Sequence, residues 1–169
     1  MGSRTGMLKK FRANFDSFEE IWLFIQIFLL VTVLPFRLKF LSLPLPLPLP
    51  RVMKTLAPRD FKVCRNMDME KLKGKIVKFT DYILGHNFFM YKSTCFKRSL
   101  VLYYFLRKSG INVHICFGVK YNNKLSDKEA KEKLEGHAWL LYQGDIFLER
   151  NVELTKTYTI TYFFPAKHL

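Results

Sequence analysis

The sequence predicts an α+β domain in which a central helix packs on a small antiparallel sheet. Two segments, Met67 to Leu84 and Cys95 to Gly110, repeat apolar residues at helical spacing. INVHICFGV (111–119) and TKTYTITYFF (155–164) instead have strand character, and EGHAWLLYQGDIFLER (135–150) reads as a hydrophobic β-hairpin. With 169 residues there is one main domain, long enough to bury a core, and an N-terminal appendage. The expected division is 1–50 for the appendage, a hydrophobic helix plus a Pro-Leu spacer, and 51–169 for the main domain.

The appendage comes first. Ile21 to Phe36 (IWLFIQIFLLVTVLPF) is apolar but for Gln26 and Thr32, with Glu19 and Glu20 before it and Arg37 and Lys39 after it. Sixteen helical residues rise about 24 Å, short of the roughly 30 Å of a hydrocarbon core. A signal peptide fits poorly, because acids precede the run and no small-residue cleavage site follows. Gly6 breaks the myristoylation pattern. The expectation is a buried helix docking on the domain, with peripheral membrane contact through Ile21 to Phe36 as the other reading. LSLPLPLPLP (41–50) then stops any helix, since each proline fixes φ and pushes the residue before it toward extended backbone. It reads as a semi-rigid spacer.

In MDMEKLKGKIVKFTDYIL (67–84) the apolar stripe is Met69, Leu72, Ile76, Phe79 and Ile83, which predicts a packing helix. Ser93 or Thr94 can cap the next helix, which starts near Cys95 and stops at Gly110. Cys95 thus occupies a first turn, where unpaired N–H groups and the positive end of the helix dipole favour an anionic sulfur. That makes it a candidate nucleophile, although a small buried residue at a helix start is an equally ordinary reading.

After Gly110, Ile111, Val113, Ile115 and Phe117 alternate with Asn112, His114 and Cys116. SDKEAKEKLE follows as a solvated charged helix with a Ser126–Glu129 capping box, and Glu135 is expected to end it. The hairpin raises the question of which acid serves His137. Asp145, near the turn, lies roughly 20 to 25 Å along the strand and is too far. With a three-residue loop, Gln143 to Asp145, Trp139 faces Glu149, and Glu149 becomes a diagonal neighbour of His137 at about 7 to 8 Å. A two-residue loop would reverse the parity and remove that contact. His114 is expected to be a satisfied structural histidine, and His86 and His168 carry no motif.

Charge and cysteines narrow the function classes. The chain has 28 Lys and Arg against 14 Asp and Glu; residues 51–108 hold 14 against 4, whereas 109–169 hold 8 against 7. Such a block attracts nucleic acid, an anionic membrane or an acidic peptide. No RNA-binding aromatic signature, helix-turn-helix glycine turn or zinc-finger spacing favours nucleic acid, so none is expected. Cys64, Cys95 and Cys116 form no C-x-x-C pair and no disulfide framework, which points to a reducing, cytoplasmic setting. Cys95, His114, Cys116 and His137 match no standard zinc spacing, and neither a metal nor another cofactor is expected.

The ordered set CFKRSLVLYYFLRKSGINVHICFGV, GHAWL and a hairpin resembles the transglutaminase-like, papain-related cysteine peptidases of lasso-peptide biosynthesis. The likeness covers about Tyr91 to Arg150, and LPFRLKFL resembles the end of that family's hydrophobic leading helix. It implies a transglutaminase-like core in which Cys95 is the nucleophile, His137 the base and Glu149 the third member, where the family usually has Asp. It further implies cleavage of the leader from a ribosomally made precursor peptide. The partners implied are a separate small leader-binding protein and an asparagine-synthetase-like cyclase. Two departures stand out: Glu149 is one methylene longer than Asp, and LPLPLPLP is atypical. Transglutaminase-like acyl transfer or deamidation would use the same three residues, and a non-catalytic, membrane-peripheral peptide-binding scaffold would need none of them.

Overall fold

A computed structural model of the chain describes residues 17–41, 68–85, 94–122 and 133–165. In order they form helices α1 (Phe18–Leu41), α2 (Met69–Gly85) and α3 (Cys95–Lys108), and strands β1 (Val113–Asn122), β2 (Lys133–Tyr142) and β3 (Asp145–Phe147). A short helix α4 (Val152–Lys156) and strand β4 (Thr159–Phe164) complete them. The architecture is α+β. The sheet is antiparallel, in the order β3-β2-β1-β4.

Helix α3 is the shared element, touching α1 and α2 on one side and β1 and β2 on the other. This is why Leu100, Val101, Leu102, Tyr103, Phe105 and Leu106 are all buried, nearly all round the helix rather than along one stripe. Its end follows from local chemistry. Gly110 takes φ +89°, and the Gly110 and Ile111 N–H groups donate to Arg107 and Leu106 carbonyls at 3.0 and 2.9 Å, closing the last turn. The alternation expected of β1 holds, with Val113 and Ile115 in the main core beside Leu140 of β2. Helix α2 buries Leu72, Ile76, Phe79 and Ile83 as its stripe predicts. Met69 is a correction: it opens the helix, a turn before the packed stretch begins, and is exposed.

Helix α1 is buried on one side only. Leu23, Ile27, Val31 and Leu34 enter the core, spaced three or four residues apart. Gln26 and Thr32, the polar interruptions, are satisfied by Lys108 Nζ at 3.0 Å and by the Phe28 carbonyl at 2.8 Å. The buried Glu20 accepts from Lys75 of α2 at 2.9 Å. Ile21, Trp22, Ile25, Leu29, Val33 and Phe36 face outward. The apolar part runs from Phe18 to Phe36, 19 residues, so by length and composition it reaches a membrane span, which the shorter run Ile21 to Phe36 did not.

Three further expectations are corrected. Tyr142 pairs with Asp145, so the hairpin has a two-residue loop, with Gln143 and Gly144 both at positive φ as that turn requires. Glu135 lies inside β2 opposite Lys120 rather than ending a helix. Thr155 and Lys156 close α4 rather than opening a strand; Asn151 caps this helix by accepting from Leu154 N–H at 3.0 Å. The spacer after Leu41, the boundary near Arg51, Ser93 and the Ser126–Glu129 capping box fall outside the described residues. So do Cys64, His86 and His168.

Candidate active site

Cys95 is the first residue of α3 and is partly exposed. Thr94 before it is extended (φ −126°, ψ 148°), so its hydroxyl accepts from Lys97 N–H at 3.2 Å and its carbonyl from Arg98 N–H at 3.0 Å. Among the described residues no partner accepts from the Cys95 and Phe96 N–H groups, which lie in the first turn, where helix N–H groups have no carbonyl of their own helix to meet. Cys116 differs sharply. It is buried within β1, and burial pushes its thiol up to about 12, so it carries no thiolate at neutral pH.

His137 sits near the middle of β2, directly across from Gly118 of β1. Ser99, one helical turn after Cys95, donates to the Ala138 carbonyl at 2.8 Å and fastens the helix of Cys95 to the strand that carries His137. Tyr158 borders the imidazole. Its ring centroid lies 5.0 Å from the His137 imidazole, and its hydroxyl is raised by burial first, then by the charges of Glu135 and Cys95. Trp139 stacks on the same imidazole at 5.7 Å and 19°. Two aromatic rings thus limit its rotation. Gly118 makes room for this: a Cβ there would come within 2.7 Å of the Trp139 ring and 2.8 Å of the Thr159 carbonyl oxygen.

Glu149 Oε2 stands 3.7 Å from His137 Nε2, with the two side chains 13 and 18 % exposed. Thr155 Oγ1 is 3.4 Å from the same nitrogen. The Thr155 hydroxyl spends its one proton on the Asn151 carbonyl at 2.9 Å, so toward the imidazole it accepts. Nε2 therefore carries the ring hydrogen, and Nδ1 is the bare nitrogen left for a thiol. Sequence reasoning missed Thr155 by reading 155–164 as one strand. The signal was present in Asn151, a helix-capping residue type directly ahead of VELTK.

The structure brings Glu149 to His137, but not by the expected route. In the observed register an extended β3 would set Glu149 opposite Ala138, on the face turned away from His137. The strand instead ends at Phe147 and Leu148 adopts φ +56°, which turns the chain and returns the carboxylate to the imidazole. His114, expected to be structural, stacks on Phe163 at 4.8 Å.

Residues 31–162 match the family model described as the transglutaminase-like superfamily. The matched stretch starts within α1, ends in β4 and takes in Cys95, His137, Glu149 and Thr155. No curated protein and no solved structure matches the chain.

Proposed function

Because the chain belongs to the transglutaminase-like superfamily, we propose that it is a cysteine peptidase that removes the leader from a lasso-peptide precursor. One observation carries the chemistry: His137 Nε2 is engaged by Glu149 and Thr155, while Cys95 heads the helix fastened to the same strand. Nδ1 takes the Cys95 proton as the sulfur attacks the scissile carbonyl. The resulting oxyanion meets the helix-head N–H of Cys95. When the intermediate collapses, the leaving amine takes the proton from His137 and a thioester remains on Cys95. Water, deprotonated by the same nitrogen, then hydrolyses the thioester and restores the thiol. Glu149 holds the Nε2–H and stabilises the imidazolium that forms in each half-reaction.

Superfamily membership fits a cysteine peptidase and an acyltransferase alike, since they differ in the acceptor, water or an amine. Support for the lasso-precursor substrate comes from the ordered motif CFKRS, LRKSGI, FGV and HAWL. In this reading a separate leader-binding protein presents the precursor, an asparagine-synthetase-like cyclase uses the freed amino terminus, and the outward row of α1 makes peripheral membrane contact. The test is mass spectrometry of a lasso precursor incubated with the leader-binding protein and either wild type or Cys95→Ala. Leader and core fragments with wild type alone support the proposal. An intact precursor in both, with the partner bound, rejects peptidase activity, and a product joined to an added amine favours acyl transfer.

A further inference from the structure

Glu149 owes its place to a turn that leucine rarely makes. A non-glycine residue at φ +56° is strained and persists only when its surroundings hold it. Here the hold is Arg98. Its Nη1 donates to the Leu148 carbonyl at 2.9 Å, while Nε and Nη2 grip Asp81 of α2 at 2.7 and 3.3 Å. Arg150 Nη2 reaches the same Asp81 carboxylate at 3.2 Å. The residues on either side of Glu149 are therefore tied to one Arg98–Asp81 pair, Leu148 through its carbonyl and Arg150 through its side chain. The pair is largely shielded, with Arg98 12 % and Asp81 27 % exposed. Arg98 also lies three residues after Cys95, on the nucleophile's own helix.

Resting on the catalytic reading above, we propose that Arg98, oriented by Asp81, is the positioning residue for Glu149. It ties the acid-bearing turn to the helix of Cys95, so that nucleophile and acid are held in one frame with His137 between them. An arginine suits this task because its planar fork holds a carboxylate and a carbonyl at once, which the point charge of lysine does not. Among the described residues the side-chain hydrogen bonds of Arg98 go to Asp81 and the Leu148 carbonyl, so its influence on Glu149 passes through the backbone at Leu148.

The test reads the state of the Cys95 sulfur and needs no substrate. Full-length wild type, His137→Ala, Glu149→Gln, Arg98→Gln, Arg98→Lys, Asp81→Asn and the Arg98→Gln/Glu149→Gln double variant are alkylated with iodoacetamide across pH. The rate at Cys95 is followed by peptide mapping, and folding is checked by circular dichroism. Arg98→Gln is expected to slow alkylation at neutral pH about 10-fold and to change the pH profile in the same way as Glu149→Gln. The double variant is expected to be no slower than Glu149→Gln alone, because both act on one contact. Arg98→Lys should resemble Arg98→Gln. A wild-type profile in Arg98→Gln while Glu149→Gln is altered, or effects that multiply in the double variant, would overturn the positioning role and leave the catalytic reading intact. Unaltered profiles in both His137→Ala and Glu149→Gln would overturn the catalytic reading and the positioning role together. If Arg98→Gln does not fold, Asp81→Asn decides, since it frees the fork while keeping the arginine, and an unchanged profile there equally overturns the proposal.

Discussion

The two halves of the candidate site are held by different kinds of force. Cys95 is placed by neighbours in sequence: Thr94 caps the helix, and Ser99 one turn on fastens it to β2. Glu149 is placed by residues distant in sequence, with Arg98 and Asp81 gripping a left-handed turn at Leu148. The start of the Cys95 helix follows from local preferences, with one long-range tie, Ser99 to the Ala138 carbonyl, joining it to the sheet. The second half exists only once α2, α3 and the hairpin have come together. Identity therefore matters most in the first half and geometry in the second.

Activity separates the two halves most widely. On the proposed function, Cys95→Ala removes the sulfur itself and is expected to lower precursor cleavage by on the order of 10⁶-fold. Glu149→Gln leaves nucleophile and base in place and should cost less, about 10²- to 10⁴-fold, in the same cleavage assay. Equal losses would mean that the acid does more than hold the imidazole.

Two stability measurements separate the halves further. At Gly118, directly across from His137, an added methyl meets the Thr159 backbone as well as the Trp139 ring, and backbone cannot swing aside. Gly118→Ala is expected to cost about 2–3 kcal/mol in urea unfolding and to pull Trp139 away from the imidazole, visible as a change in tryptophan emission. Thr94→Ala removes the hydroxyl that accepts from Lys97 N–H, together with a methyl group at an exposed position. A loss of about 1 kcal/mol is expected, a melting temperature lower by roughly 2–4 °C.

What was legible in the sequence divides along the same line. Cys95 at a capped helix start, the Gly110 stop and the β1 alternation all follow from local chemistry, and the structure shows each. The sequence argument for Glu149 rests on a three-residue loop, and the loop has two residues. It nevertheless stands beside His137 because Leu148 reverses the strand's parity, and backbone preference gives no reason to expect leucine there. Thr155 was hidden by its β-branched, strand-like surroundings, where tertiary packing upheld a short helix instead. The outward half of α1 was unreadable for another reason: a helix apolar all round carries no periodic sign of which side docks.

The smallest expected effect separates the two halves by pH. Burial raises the Asp81 carboxyl, but hydrogen bonding and charge from Arg98, joined by Arg150, bring it below the usual carboxylate value of 3.8 on balance. A carboxylate with a lowered folded value adds stability that is complete above its unfolded value and is lost as pH falls through the folded one. Asp81→Asn should therefore be less stable than wild type at pH 6, by a fraction of the roughly 1 kcal/mol typical of partly exposed ion pairs. The gap should narrow below about pH 4, as the wild-type carboxyl takes up its proton and comes to resemble the amide. The Thr94 hydroxyl does not titrate in this range, so the deficit of Thr94→Ala should stay level between pH 6 and pH 3. Thermal melts of both variants against wild type at the two pH values make the comparison. A deficit in Asp81→Asn as large at pH 3 as at pH 6 would mean that the anchor of the acid half rests on packing rather than on charge.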